Sequence, residues 1–256
     1  MPGIPTHPAF PQPHDFAAKL WRYLDTEKFA WMVENGRLLM PSASKLGDPL
    51  EGTRPDGDRA WWQQQIDQSP SEDKRRVLKY NRDTLQRFTD NFREHYYVSC
   101  WHLNEAESME MWCCYVKGSE SVVVQTRYSI LRKCLANFIE IGLVRYIDYR
   151  KEKLPSLNLY ECVTHKDIVY EFEKEVRAVV QHPPPKSPHH AEFMQHFFES
   201  ESKKDFRAFA PEIELSSFIE TIVLHPKATR EFVQHTNRLC RENGVNEPMQ
   251  SKFSRV

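Results

Sequence analysis

The chain predicts an α+β fold with a mixed or antiparallel sheet. Two observations carry this: an early strand-helix-strand unit, and about seven short strands that cluster later, unlike the regular alternation of a doubly wound parallel sheet. The 256 residues suit one domain with tails. The divisions are a proline-rich tail over 1–14, a single α+β domain over 15–246 and a flexible tail over 247–256.

Residues 1 to 14 hold five prolines and little to bury, which describes a tail or an arm on the surface. Leu20-Trp21-Arg22-Tyr23-Leu24 reads as a strand. Asp25 or Thr26 then caps a helix with an apolar stripe of Phe29, Met32 and Val33, and Gly36 supplies the left-handed stop. Arg37 to Met40 returns as a second strand.

After the Asp48-Pro49 turn, residues 59–92 read as one or two charged helices, with Trp61, Trp62, Ile66, Val77, Leu78, Leu85 and Phe88 at packing positions. Further strands are Tyr96 to Trp101, Ser121 to Thr126, Val144 to Tyr149 and Glu175 to Gln181. Helices fall at Ser108 to Tyr115 and Tyr128 to Phe138. Pro183 to His190 is a loop, and residues 191–207 hold a short helix. Phe218 to Leu224 is the last strand, and Pro226 at the first helical position opens a helix ending at Asn243-Gly244.

Composition excludes several function classes. With Lys+Arg 35 against Asp+Glu 36 and a net charge of -1, no global basic field holds nucleic acid non-specifically; a local basic groove stays open. No apolar run approaches the ~20 residues of a membrane span, and the N-terminus lacks a basic-then-apolar signal pattern. The expected location is cytoplasmic, without membrane contact. The six cysteines form no C-x-x-C pair and no zinc spacing, so no metal site is expected. The eight glycines include no G-x-G-x-x-G or G-x-S-x-G. The Gly47 to Arg54 stretch has phosphate-loop glycine spacing but lacks the Lys and Ser/Thr that such a loop requires.

The segment Tyr170 to Val180 is the most chemically loaded. Read as a strand, it places Glu173, Glu175 and Arg177 on one face and Phe172, Val176 and Ala178 on the other. Two carboxylates so close repel each other, which drives one pKa up and the other down while Arg177 partly offsets the repulsion. Acid/base or cation-stabilising chemistry suits that arrangement, and a solvated surface pair is the plain alternative.

Trp21-Arg22-Tyr23, Gly36-Arg37-Leu38, Leu46-Gly47-Asp48-Pro49-Leu50-Glu51, Val98-Ser99-Cys100, Met111-Trp112-Cys113-Cys114-Tyr115 and Glu173-Lys174-Glu175-Val176-Arg177 occur in this order. The set resembles a widespread bacterial domain-of-unknown-function family reading F-N-D-P-F-E, S-F, M-W-x-x-Y and E-x-E-x-R, over roughly Leu20 to Gly244. Leu46-Gly47 stands where Phe-Asn is usual and Tyr170 where Trp is common, so the turn departs from the pattern. The order of elements also resembles that of ADP-ribosyltransferases, whose fold binds NAD between two small sheets.

That resemblance implies a split sheet and NAD as substrate, with transfer to a macromolecular acceptor, protein or nucleic acid, as in a toxin or defence effector. It places Arg22 at the NAD phosphates or ribose and Ser99 on the nicotinamide side, with Tyr23, Trp101 or Tyr115 as the aromatic face. Glu175 or Glu173 becomes the catalytic carboxylate, stabilising a ribosyl cation or activating the acceptor; strand alternation treats the two alike. Two other readings use the same residues. One is an acidic-site hydrolase or nuclease in which Asp48, Glu51, Glu173 and Glu175 converge. The other is a non-catalytic interaction module in which the glutamates pair with Arg177, Arg22 or Arg145.

Overall fold

The structure, a computed structural model, describes residues 7–183, 185–199 and 207–254. Parts of four expected segments lie outside these residues: 1–6 of the proline-rich tail, Pro184 of the loop, 200–206 of the following stretch, and 255–256.

Strand β1, Lys19–Asp25, leads into α1, Thr26–Asn35. The Asp25 carboxylate accepts from the Lys28 N–H, and Gly36 closes the helix at φ 59, a left-handed conformation open to glycine at little cost. The expected return strand shrinks to β2, Met40–Pro41, since the Leu38 N–H turns to the Pro211 carbonyl. The charged stretch divides into α2, Asp56–Asp67, and α3, Glu72–Arg93, because Ser71 caps a fresh start by accepting from the Lys74 N–H.

Next come β3, Tyr96–Leu103, and α4, Met109–Tyr115, capped by Ser108. Strand β4, Ser121–Arg127, runs into α5, Tyr128–Cys134. Short pieces follow: β5, Glu140–Leu143, β6, Arg145–Ile147, α6, Glu161–Thr164, and β7, His165–Asp167. A 3-10 turn over Ile168–Glu173 precedes β8, Glu175–Gln181. The remainder is α7, His190–Gln195, β9, Phe197–Glu199, β10, Arg207–Phe209, α8, Leu215–Phe218, β11, Thr221–Leu224, and α9, Arg230–Glu242. Helix α9 starts later than Pro226 because Thr229 supplies the cap, accepting from the Phe232 N–H. Among the described residues no helix is long and apolar enough to cross a membrane.

These elements form an α+β fold around a sheet ordered β11-β4-β1-β3-β8-β5, antiparallel throughout. Its pairing is uneven. β1 pairs with β4 from Lys19↔Arg127 to Asp25↔Ser121, and β3 pairs with β8 from Tyr96↔Gln181 to His102↔Glu175. β1 meets β3 only at Leu20↔Leu103 and Trp21↔His102. Beyond Trp21 the two strands part, so the sheet divides into halves joined at one end. The segment from Leu39 through β2 to Ser42 enters that gap, where Ser42 bridges Tyr97 of β3.

One face of both halves packs Leu20, Trp101, Val124, Val176 and Ile222 against Phe29 and Met32 of α1 and Phe232 of α9. Each such fully buried apolar side chain contributes about 1.5–3 kcal/mol. On the other face Tyr96, Val98, Val163 and Val179 cluster with Phe10. Phe10 is buried, and the neighbouring Pro11 carbonyl accepts from the Leu143 N–H at 2.7 Å.

Candidate active site

Strand alternation brings Glu175 and Arg177 to one face of β8, opposite His102 and Cys100 of β3. Glu173 arrives by another route. It ends the 3-10 turn, and Lys174 then takes a left-handed conformation at φ 42 before the strand begins. Such a conformation costs a side-chain-bearing residue roughly 1–2 kcal/mol. The expected continuous strand face from Glu173 to Arg177 is therefore corrected: Lys174 resets the direction of the chain. Phe172, expected on the face of Val176 and Ala178, instead lines the same cavity as the glutamates.

That cavity, of about 460 Å³, opens where β1 and β3 part. Arg22 and Tyr23 of β1, Trp101 of β3, Tyr115 of α4, and Glu173 and Glu175 all line it. Ser99 lies behind the wall, fully buried. Its hydroxyl oxygen accepts from Arg22 Nη1 at 3.0 Å and from Trp101 Nε1 at 2.9 Å. Arg22 Nη2 donates to the Leu39 carbonyl at 2.8 Å, so the guanidinium spans the gap between the half-sheets. Its Cζ sits 5.7 Å from the centroid of the Trp101 ring, close enough for a cation–π contact. Burial pushes the Arg22 pKa down to about 10. Arg22 forms no ion pair with a carboxylate among the described residues.

The acidic wall is fully partnered. Arg177 Nε and Nη2 donate to the two oxygens of Glu175 at 2.5 and 3.0 Å. Arg177 also binds Glu51 bidentately, with Nη2 2.7 Å from Oε2. Lys166 of β7 places Nζ 2.6 Å from Glu173 Oε2 and 3.8 Å from Glu175 Oε2. The Tyr115 phenol donates to Glu173 Oε1. The Tyr146 hydroxyl accepts from the Glu175 N–H at 2.8 Å.

These surroundings separate the two carboxylates in the direction their crowding implies. Burial works against the Glu175 charge, but Arg177 and Lys166 outweigh it and hold the carboxyl at about 2. Burial and the charge of Glu175 together push Glu173 up, with Lys166 and Tyr115 opposing them only in part. The two carboxyls thus differ in proton affinity, Glu175 held below the ordinary carboxylate range and Glu173 above it.

Tyr23 stands edge-on to Trp112, ring centroids 5.0 Å apart, and its hydroxyl accepts from the Ser108 N–H at 2.7 Å. It thereby fixes the start of α4, the helix that carries Tyr115. His102 donates Nδ1–H to the Glu173 carbonyl at 2.6 Å, the role a carbonyl partner requires of the ring. Burial lowers its pKa.

Asp48, Glu51, Glu173 and Glu175 all line the cavity, yet they do not converge on one point. Glu51 and Glu175 face Arg177, Glu173 faces Lys166 and Tyr115, and Asp48 accepts from the Leu50 N–H. Among the described residues no three His, Cys, Asp or Glu side chains form a metal-ligating group. Of the pairings expected of an interaction module, Glu175 with Arg177 is present, whereas Arg145 pairs with Glu161 at 2.7 Å. Sequence reading missed Lys166: it lies in a three-residue strand with no periodicity, and nothing in its neighbours marks it as part of a site.

No protein-family model and no curated protein matches this chain. Among solved structures it is similar to Thermus sp. 2.9 DarT in complex with carba-NAD+, at 9% identity and a TM-score of 0.39, over 93% of this chain and 96% of that one. It is similar to the same protein in complex with NAD+, at 9% identity and 0.38, with coverage of 93% and 96%. The complex with ADP-ribosylated ssDNA aligns at 8% identity and 0.39, over 94% and 95%. A likeness at these TM-scores assigns no residue.

Proposed function

We propose that this protein is an ADP-ribosyltransferase-like enzyme that binds NAD in the cavity between the half-sheets and transfers its ADP-ribose to a macromolecular acceptor. One observation carries the reading: a single cavity sets Arg22, an arginine with no carboxylate partner among the described residues, against a wall bearing the ionised carboxylate Glu175. NAD has the matching polarity, with an anionic diphosphate and an N-glycosyl pyridinium that becomes a ribosyl cation as nicotinamide leaves.

Arg22, oriented by Ser99 and the Leu39 carbonyl, binds the phosphates. Trp101 backs that guanidinium, and Tyr23 and Tyr115 supply aromatic surface on the α4 side. Glu175 stabilises the positive charge that grows on the ribose, being ionised and held in place before the reaction begins. The C1′–N bond breaks with its electron pair passing to the nicotinamide ring. The acceptor's lone pair bonds to C1′, and the acceptor's proton goes to Glu173. In this reading the protein acts as a toxin or defence effector.

A second reading, the non-catalytic interaction module, draws on the pairing of Glu51 and Glu175 with Arg177. The Glu175→Gln variant separates the two. Arg177 keeps Glu51 in that variant, so the chain folds, and release of nicotinamide from NAD, followed by chromatography, falls by about 10²–10³-fold. If the wild-type protein neither binds NAD in calorimetry nor releases nicotinamide, the enzyme reading is overturned.

A further inference from the structure

The acidic wall holds a cation to which the reaction above assigns no role. Lys166 is 7% exposed, and its Nζ lies 4.4 Å from the centroid of the Tyr170 ring as well as 2.6 Å from Glu173. The two oxygens of Glu173 are thus held by different elements, Oε2 by Lys166 of β7 and Oε1 by Tyr115 of α4. Arg177, the other buried cation of this wall, spends its donors on Glu175, Glu51 and the Val163 carbonyl.

We propose that Lys166 is a positioning residue that keeps Glu173 ionised and aimed into the cavity. Its consequence for catalysis rests on the function proposed above, since an ionised Glu173 is what accepts the acceptor's proton. Of the groups that touch the Glu173 carboxylate, Tyr115 supplies a neutral hydrogen bond and Lys166 the positive charge. Glu175 on β8 repels a second negative charge. Tyr115 and Cys114 on α4, Tyr146 on β6, Tyr170 on the 3-10 turn, and Cys100 and His102 on β3 are neutral at neutral pH. Lys174, the next residue in the chain, is exposed to solvent.

Burial pushes the Lys166 charge down, but Glu175 and Glu173 outweigh it and hold the ammonium charged. Without that ammonium, burial and Glu175 favour the protonated form of Glu173, which is too weakly basic to take a proton from the acceptor. During transfer the proton moves from acceptor to Glu173, and the Lys166 protons stay where they are.

The test needs no substrate. Side-chain ¹³C-labelled glutamate, with the Glu173 signal assigned by Glu173→Gln, reports the Glu173 titration midpoint in the full chain. In Lys166→Met the midpoint rises by roughly 1–3 pH units, and in Lys166→Arg it returns towards wild type. A folded Lys166→Met protein with an unmoved midpoint overturns the proposal. Should that variant not fold, the reciprocal measurement decides: in Glu173→Gln the Lys166 ammonium titrates at lower pH, by linkage, and an unchanged Lys166 overturns the proposal equally. The acid limb of nicotinamide release should shift with the Glu173 midpoint. A shifted midpoint in a protein that releases no nicotinamide upholds Lys166 as the group ionising Glu173 and overturns only the NAD reading.

Discussion

Arg177 and Glu51, 126 positions apart in the chain, meet as a bidentate ion pair. Both are almost wholly buried. The pair ties the Asp48-Pro49 turn to the strand carrying Glu175, so the turn and the acidic segment are two ends of one contact. Arg177→Met leaves two buried carboxylates facing each other, and removing one partner of a buried pair costs about 3–5 kcal/mol. Urea denaturation should show a loss of that size for Arg177→Met and a smaller one for Glu51→Gln. A change below about 1 kcal/mol, the range of exposed pairs, would contradict the network.

Ser99 accepts from both Arg22 and the Trp101 indole. Ser99→Ala strands buried donors, at roughly 1–3 kcal/mol each, and frees Arg22 to move. The expected result is a lower melting temperature and a raised KM for NAD with kcat little changed. If kcat fell while KM stayed constant, Ser99 would have a direct part in the chemistry.

The two glutamates give stability opposite pH dependences. Glu175 titrates at about 2 against an ordinary 4.5. Its contribution, roughly 3 kcal/mol, is therefore complete above its unfolded value and disappears as pH falls towards its folded one. Glu173 is raised, so its ionisation costs the folded state, and acidification through its folded midpoint relieves that cost. Thermal melts from about pH 7 to pH 3 should show the relief vanish in Glu173→Gln and the acid loss flatten in Glu175→Gln. Curves parallel to wild type in both variants would refute the assignment.

Gly142 of β5 sits under the N-terminal arm, where an added Cβ would lie 2.7 Å from the Phe10 carbonyl carbon. Gly142→Ala should dislodge residues 7–13 and cost about 1–3 kcal/mol. Limited proteolysis reads this directly, through faster cleavage near Phe10. Unchanged cleavage would mean that the arm is held elsewhere.

Local chemistry was legible in the sequence wherever it acts over a few residues. The Asp25 cap, the Gly36 stop, the apolar stripe of α1, the long strands β1, β3, β4 and β8, and the closeness of Glu175 to Arg177 follow from capping, backbone conformation and the two-residue strand repeat. The short strands β5, β7 and β10, three or four residues each, carry too little periodicity to be seen. The resemblance named Arg22, Ser99 and the two glutamates together, which no spacing does.

Only the tertiary structure decided what those residues meet. Pairing between β1 and β3 stops after Trp21, and the cavity opens where the strands part, with Arg22 reaching Ser99 across the gap. Lys174 turns Glu173 off the strand and towards Lys166, so two glutamates that strand alternation treats alike have different partners and different proton affinities. Charge state in a buried site depends on which groups lie within a few ångströms, and in this chain those groups come from six separate elements. The sequence determined the two glutamates, the arginine and the strand that carries Glu175 and Arg177; the folded chain decided which glutamate is held below the ordinary carboxylate range and which above it.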